Sequence, residues 1–153
     1  MSLIFRDLRI EDHKQFSKLN AVDIIFEKYV SFLHKVLNDN YLIIVAEEDK
    51  ELVAVGTLII DEKLAPPVSV CPGCYQLGVR IGRLEDIFVK SSCQRKGYGK
   101  KIVDHLVQIA RRKKCLKIFL YCSSELENFY KKSGFEKELD SISMIINTGS
   151  ACI

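Results

Sequence analysis

The sequence predicts a mixed α/β domain, and three observations carry that reading. Strand-like and helix-like apolar patterns alternate through the middle of the chain, the strands towards its ends read as antiparallel, and no repeat, linker or low-complexity stretch interrupts the 153 residues. A chain of this length buries about 70% of the surface its unfolded form exposes. One domain covering residues 1–153 therefore needs neither disulfides nor a metal to hold its core.

Residues 4–9 alternate as a strand does, and Asp12 is placed to cap a helix reaching Leu19. Ile24, Ile25, Tyr29, Phe32, Leu33 and Val36 recur at helical spacing and predict a second helix, which the Asn-Asp-Asn at 38–40 stops. The runs YLIIVAEE and LVAVGTLII flank a polar turn at 48–51, the pattern of a hairpin of two largely buried strands. Pro66, Pro67 and the neighbouring glycines mark 63–78 as a long loop. GRLEDIFV at 82–89 is a further strand. Ile102, Val103, Leu106, Val107, Ile109 and Ala110 then form one stripe of a long helix over 97–112. LKIFLYC at 116–122 is a strand, and residues 125–132 are a short helix that Ser133 and Gly134 close. FEKELDSISMIIN at 135–147 offers two last short strands.

Lys and Arg total 23 against 20 Asp and Glu, so the net charge is only +3 and the basic excess is local. That argues against general nucleic-acid binding. No apolar run approaches the ~20 residues of a membrane span, and the N-terminus lacks the apolar core of a secretory signal. The expectation is a soluble, cytoplasmic protein whose six cysteines are reduced thiols. Cys115 and Cys122 bracket an apolar run and read as small buried residues. Cys71 and Cys74 have redox or zinc spacing, but no second ligand pair sits at suitable spacing, so no metal is expected. His13, His34 and His105 form no constellation, and His105, off the apolar stripe, reads as exposed.

The chemistry concentrates where the 82–89 strand gives way to the long helix. VKSSCQRKGYGKKIVDHL carries five cations and two closely spaced glycines. Unpaired N–H groups and the helix dipole meet an anion at such a turn, and glycine lets a ligand approach the backbone. Lys100 and Lys101 in the first turn oppose the dipole of an empty helix. A P-loop is excluded because Gln94 and Lys101 stand at its glycine and hydroxyl positions, and a dinucleotide fingerprint because Ile102 replaces its third glycine. A solvated basic turn remains the alternative on these residues alone.

QRKGYG at 94–99 resembles the Q/R-x-x-G-x-G/A signature of the GCN5-related N-acetyltransferases, the GNAT superfamily, and ENFYKKSGF at 127–135 resembles that superfamily's F-Y-x-K-x-G-F segment. Within it, the chain from 82 to 135 is similar to the glucosamine 6-phosphate N-acetyltransferase branch, the Glu85-Asp86 pair being the most informative piece. The resemblance implies a mixed, mostly antiparallel central sheet with a splayed motif strand and helices on both faces. It implies acetyl-CoA as co-substrate, with Ile87, Phe88 and Val89 pairing the pantetheine arm. Backbone groups of Gln94, Arg95, Lys96, Gly97, Tyr98, Gly99 and Lys100 would hold the pyrophosphate.

The resemblance further implies that the acceptor amine attacks directly, with Tyr130 beside the sulfur as proton donor to the departing thiolate. It implies a homodimer joined through the last strands. Glu85, Asp86, Lys117 and Tyr121 are the candidate substrate ligands; in a regular strand Glu85 and Asp86 point to opposite faces, so only one of them would face the acceptor. Tyr121 stands where the sugar enzymes usually carry an acid, and the C-terminal SMIINTGS is uncharged where they often end in arginine. These departures keep open an acceptor that is another small amine or a protein, as well as a noncatalytic acyl-CoA-binding module.

Overall fold

The structure, a computed structural model, describes residues 3–63 and 78–138. Strand β1 (Ile4–Asp7) is followed by helices α1 (His13–Leu19) and α2 (Phe26–Val36), then by β2 (Tyr41–Glu48), β3 (Glu51–Lys63) and β4 (Val79–Val89). Helix α3 (Tyr98–Arg112) crosses to β5 (Cys115–Leu120), and α4 (Glu127–Lys131) ends the regular structure among the described residues. The strands form one sheet in chain order, β1 to β4 antiparallel and β4 parallel to β5. The helix between β4 and β5 is what the parallel pair requires, since parallel strands cannot be joined by a tight turn.

Helices cover both faces, as expected. On one face Ile44, Ala54, Leu58 and Leu84 pack against Ile102, Val103, Leu106 and Ala110 of α3. On the other, Ile43, Val45 and Val55 pack against Tyr29 and Leu33 of α2 and against Leu8. The alternation of β2 and β3 thus feeds two cores, which is why these strands read as nearly continuous apolar runs. Arg111 and Arg112 close α3, where cations suit the dipole.

Several boundaries differ from the sequence reading. Helix α2 begins at Phe26, because Ile24 and Ile25 belong to the connection that lines a cavity rather than to the helical stripe. Asp12 does not cap α1 with its side chain. Its carboxylate instead accepts the Arg9 N–H at 2.8 Å and both Arg6 Nη groups at 2.7 and 2.8 Å. Burial pushes the Asp12 carboxyl up, but the Arg6 bonds and the Arg9 N–H outweigh it and hold the group below its ordinary value. Strand β5 stops at Leu120, so Tyr121 and Cys122 lie beyond it; Cys122 is exposed and Cys115 half-buried, against the expectation of two buried thiols. His105 is not solvent-exposed: its ring stacks on Phe5 at 4.4 Å, and burial pulls its pKa down. Phe135 to Glu138 form no strand, and the rest of the predicted terminal pair lies outside the described residues, as does the Cys71–Cys74 segment.

Candidate active site

The site begins where β4 and β5 part. Parallel pairing runs from Arg80 with Cys115 to Leu84 with Leu120 and then ends, while β4 continues to Val89 with only β3 beside it. Beyond Leu120 the chain leaves the sheet, through Tyr121 and Cys122, into a turn at Ser124–Leu126. Residues 85–89 therefore have no strand on their β5 side among the described residues. Ile87, Phe88 and Val89 lie along this open edge, where an extended ligand can pair with backbone.

The parting coincides with a β-bulge. Thr57 pairs with Glu85 and Val55 with Phe88, so Gly56 alone opposes both Asp86 and Ile87. Asp86 takes φ 51, a left-handed conformation that Asp tolerates better than most residues. The extra residue resets the alternation: Leu84 and Ile87, three apart, both pack towards α3. A Cβ on Gly56 would come within 2.7 Å of Ile87 Cδ1 and Leu106 Cδ1, so the bulge is seated against that helix.

Glu85 and Asp86 consequently share the opposite face, the one that carries α1 and α2. The expectation that they point to opposite sides fails, because the strand is not regular there. Glu85 is already engaged: its Oε1 lies 2.6 Å from Arg83 Nε, close as an ion pair although the N–H is not aligned on it, and Arg83 also faces Asp61 at 3.9 Å. Asp86 is exposed and lines a cavity of about 500 Å³ between β4 and the two helices. Phe16, Asn20, Lys28, Tyr41 and Thr57 contribute to its walls. Burial raises the Tyr41 hydroxyl pKa, and the charges of Asp86 and Glu85 push it further. Sequence reading missed Tyr41, Asn20 and Lys28, which carry no local motif and converge only through the sheet and the α1–α2 connection.

At its far end β4 runs into the basic turn. Arg95 and Gly97 take φ 62 and 83, with Lys96 between them outside the left-handed region. Such alternation curls successive N–H groups into a concavity that suits an anion. The first helical bond of α3 is from the Lys101 N–H to the Gly97 carbonyl. The N–H groups of Tyr98, Gly99 and Lys100 thus precede the helix's own acceptors and face the same turn.

Gly99 allows this helix end to approach closely, since a Cβ there would sit 3.1 Å from Phe129 Cζ and 3.4 Å from Val89 Cγ2. Gln94, Arg95, Lys96 and Lys100 are exposed around the turn, Lys100 pairing with Asp104 at 2.5 Å. The Tyr98 side chain turns into the core and donates to Glu48 Oε2 at 2.6 Å, a bond that pushes its pKa up to about 12. Only its backbone remains for a ligand. These features fit a diphosphate carried on an extended arm.

Tyr130 of α4 lies against Phe129 and Phe135, with ring centroids 4.9 and 6.1 Å away. Burial raises its pKa and the nearby Cys122 thiol adds to the rise, so the hydroxyl keeps its proton through the neutral range. Cys122 itself lies just past the parting of β4 and β5. Lys117 and Tyr121 alternate with the core residues Ile118 and Leu120 and so share the face of Glu85 and Asp86. Neither reaches the cavity wall: Lys117 is paired with Glu138, and Tyr121 is 77% exposed and packs edge-on against Phe119.

Comparison with known proteins agrees with this arrangement. Residues 5–135 match the family model described as Acetyltransferase (GNAT) family. The chain is 28% identical over 146 residues, 88% of its own length and 82% of the relative's, to the probable glucosamine 6-phosphate N-acetyltransferase 2 of Oryza sativa subsp. japonica. It is 28% identical over 153 residues, 94% of its own length and 91% of the relative's, to glucosamine 6-phosphate N-acetyltransferase 1 of Dictyostelium discoideum. The crystal structure of glucosamine-6-phosphate N-acetyltransferase from Arabidopsis thaliana superposes with a TM-score of 0.80 at 26% identity, covering 97% of this chain and 100% of that one. With the parted strands, the nested turn and the family match in agreement, the chain belongs to the acetyltransferase (GNAT) family.

Proposed function

We propose that the protein transfers the acetyl group of acetyl-CoA to the amine of glucosamine 6-phosphate. The observation that carries the reading is a single continuous path. The open edge of β4 leads at one end to the anion-suited turn at Arg95–Lys100, and at the bulge it adjoins the cavity that Asp86 lines. Two ligands can meet there, one along the edge and one in the cavity.

Acetyl-CoA supplies an activated acetyl thioester. The protein's part is positioning and charge placement. Ile87, Phe88 and Val89 would pair the pantetheine arm, the N–H groups from Arg95 to Lys100 would hold the diphosphate, and Gln94 would flank them. A strand N–H at the open edge can stabilise negative charge developing on the carbonyl oxygen. Asp86 is the carboxylate available to orient the acceptor amine or take its proton, with Glu85 held behind it by Arg83. Tyr130 offers its protonated hydroxyl to the leaving sulfur. No protein nucleophile is required, so the exposed Cys122 has no covalent role.

The exposed Tyr121, in place of the acid expected there, favours a second reading in which the fold and acetyl-CoA are kept and the acceptor is another small amine or a protein amine. The full reading includes a cytoplasmic homodimer serving amino-sugar nucleotide synthesis; light scattering of the purified protein tests the dimer. Among the described residues no helix is long and apolar enough to cross a membrane. A thiol-release assay with acetyl-CoA and a panel of amines decides the acceptor. Turnover on glucosamine 6-phosphate and not on peptides supports the first reading, and coenzyme binding with no turnover on any amine overturns both.

A further inference from the structure

The charges lining the acceptor cavity are few and stand on different walls. Among the described lining residues Asp86, on the sheet, is the one carboxylate, and Lys28, on α2, is the one ammonium; the others are apolar or carry amide, hydroxyl or phenol groups. A cavity of about 500 Å³ is in the range that encloses a small ligand. Its polarity matches a molecule with an amine at one end and an anion at the other.

Two cations on this face of the sheet, Arg83 and Lys117, are committed elsewhere. Arg83 sits between Glu85 and Asp61, whose two negative charges exceed its own, so a dianion brought there would be repelled. Lys117 is paired with Glu138. Lys28 makes no ion pair among the described residues.

We propose that Lys28 is the anion anchor of the acceptor site, holding the phosphate of an amino-sugar phosphate whose amine lies towards Asp86. The inference rests on the acceptor reading above and assigns that ligand's phosphate to a residue. Lys28 sets specificity: it discriminates phosphorylated from unphosphorylated acceptors and takes no part in the chemical step.

Steady-state kinetics on Lys28→Ala, Lys28→Arg and Lys28→Glu test the assignment. One charge-assisted contact at a solvent-accessible wall corresponds to about a tenfold change in KM. Lys28→Ala is expected to raise KM for glucosamine 6-phosphate about tenfold with kcat and KM for acetyl-CoA unchanged, Lys28→Glu more, and Lys28→Arg little. Turnover of unphosphorylated glucosamine should be indifferent to all three. An unchanged KM for glucosamine 6-phosphate in Lys28→Ala overturns the assignment while leaving the acceptor reading intact.

Calorimetry with glucose 6-phosphate, which has the phosphate but no amine, gives a readout independent of turnover. Binding to the wild type that weakens in Lys28→Ala supports the anchor even if glucosamine 6-phosphate is not acetylated. Equal binding to both proteins, or none to the wild type, overturns it.

Discussion

Replacing Tyr130 by phenylalanine removes one oxygen from a ring that Phe129 and Phe135 otherwise hold in place. The residue is only 9% exposed, yet among the described residues no hydrogen bond contributes to the environment of its hydroxyl. Folding therefore loses no partner, and stability should stay within about 0.5 kcal/mol of the wild type. Acid strength sets the catalytic magnitude. A thiol ionises near pH ~8.5 and an unperturbed phenol near ~10, and burial raises Tyr130 further. Complete proton delivery to a thiolate would run uphill by at least about 2 kcal/mol. The hydroxyl thus contributes mainly a hydrogen bond to charge growing on sulfur, and the loss should fall at the lower end of the range for a positioned acid, about a hundredfold in kcat. Thiol release at saturating acceptor measures kcat, and calorimetry measures coenzyme A affinity, which should be unchanged. Turnover within about twofold of the wild type would refute the reasoning, as would an equal loss in coenzyme A affinity, which would make Tyr130 a packing residue.

The two glycines of the basic turn should fail differently. Gly97→Ala meets no neighbour within 4 Å but must hold φ 83, a strain of about 1–2 kcal/mol that should lower the melting temperature and weaken coenzyme A binding together. Gly99→Ala places a Cβ 3.1 Å from Phe129, so it should displace that ring and its neighbour Tyr130, lowering kcat more than affinity; melts and calorimetry on both variants separate the two effects. Asp86→Asn keeps the shape of the bulge and removes the cavity's carboxylate. KM for the amine should rise about tenfold while KM for acetyl-CoA stays put, and initial-rate kinetics varying each substrate in turn check this. Asp12→Asn breaks the bidentate pair with Arg6 and should cost about 3 kcal/mol at neutral pH. Because the folded Asp12 pKa is lowered, the stability it provides is present above the usual carboxylate range and lost as pH falls through the folded value. Denaturant melts at pH 7 and pH 3 should therefore show the gap between wild type and variant closing towards acid.

Periodicity and punctuation made most of the fold legible. The stripe from Ile102 to Ala110 is a strong helical signal, and it lies on the buried face of α3. Two glycines and four cations at a strand-to-helix junction made the turn at 94–99 read as a candidate anion site, and Gly97 does adopt the left-handed backbone that such a turn needs. What escaped was set by tertiary contacts. Ile24 and Ile25 fit a helical stripe but serve a connection, and Lys28, Asn20 and Tyr41 have nothing in their neighbours to tie them to Asp86. His105 lies off the apolar stripe, yet a flat ring from β1 covers it. Local pattern reports which face of a helix is apolar; it does not report what a distant strand lays over the remainder.

The bulge at Asp86 shows why the most informative dipeptide was also the most misread. Glu85 and Asp86 in a regular strand divide between two faces, and nothing in GRLEDIFV says that alternation breaks there. Gly56, on the neighbouring strand, supplies the reason: without a Cβ it lets Ile87 and Leu106 close over one position of β3 while two residues of β4 pass opposite it. One irregularity then has two consequences. It reverses the side chains that follow, bringing both acids to the face of the cavity, and it sits just after the last pair joining β4 to β5, at Leu84 and Leu120. A bulge bends its strand. The parting that opens an edge of β4 and the turning of an acid towards the cavity are therefore one feature of the backbone, which in the proposed reaction would set the two ligands side by side.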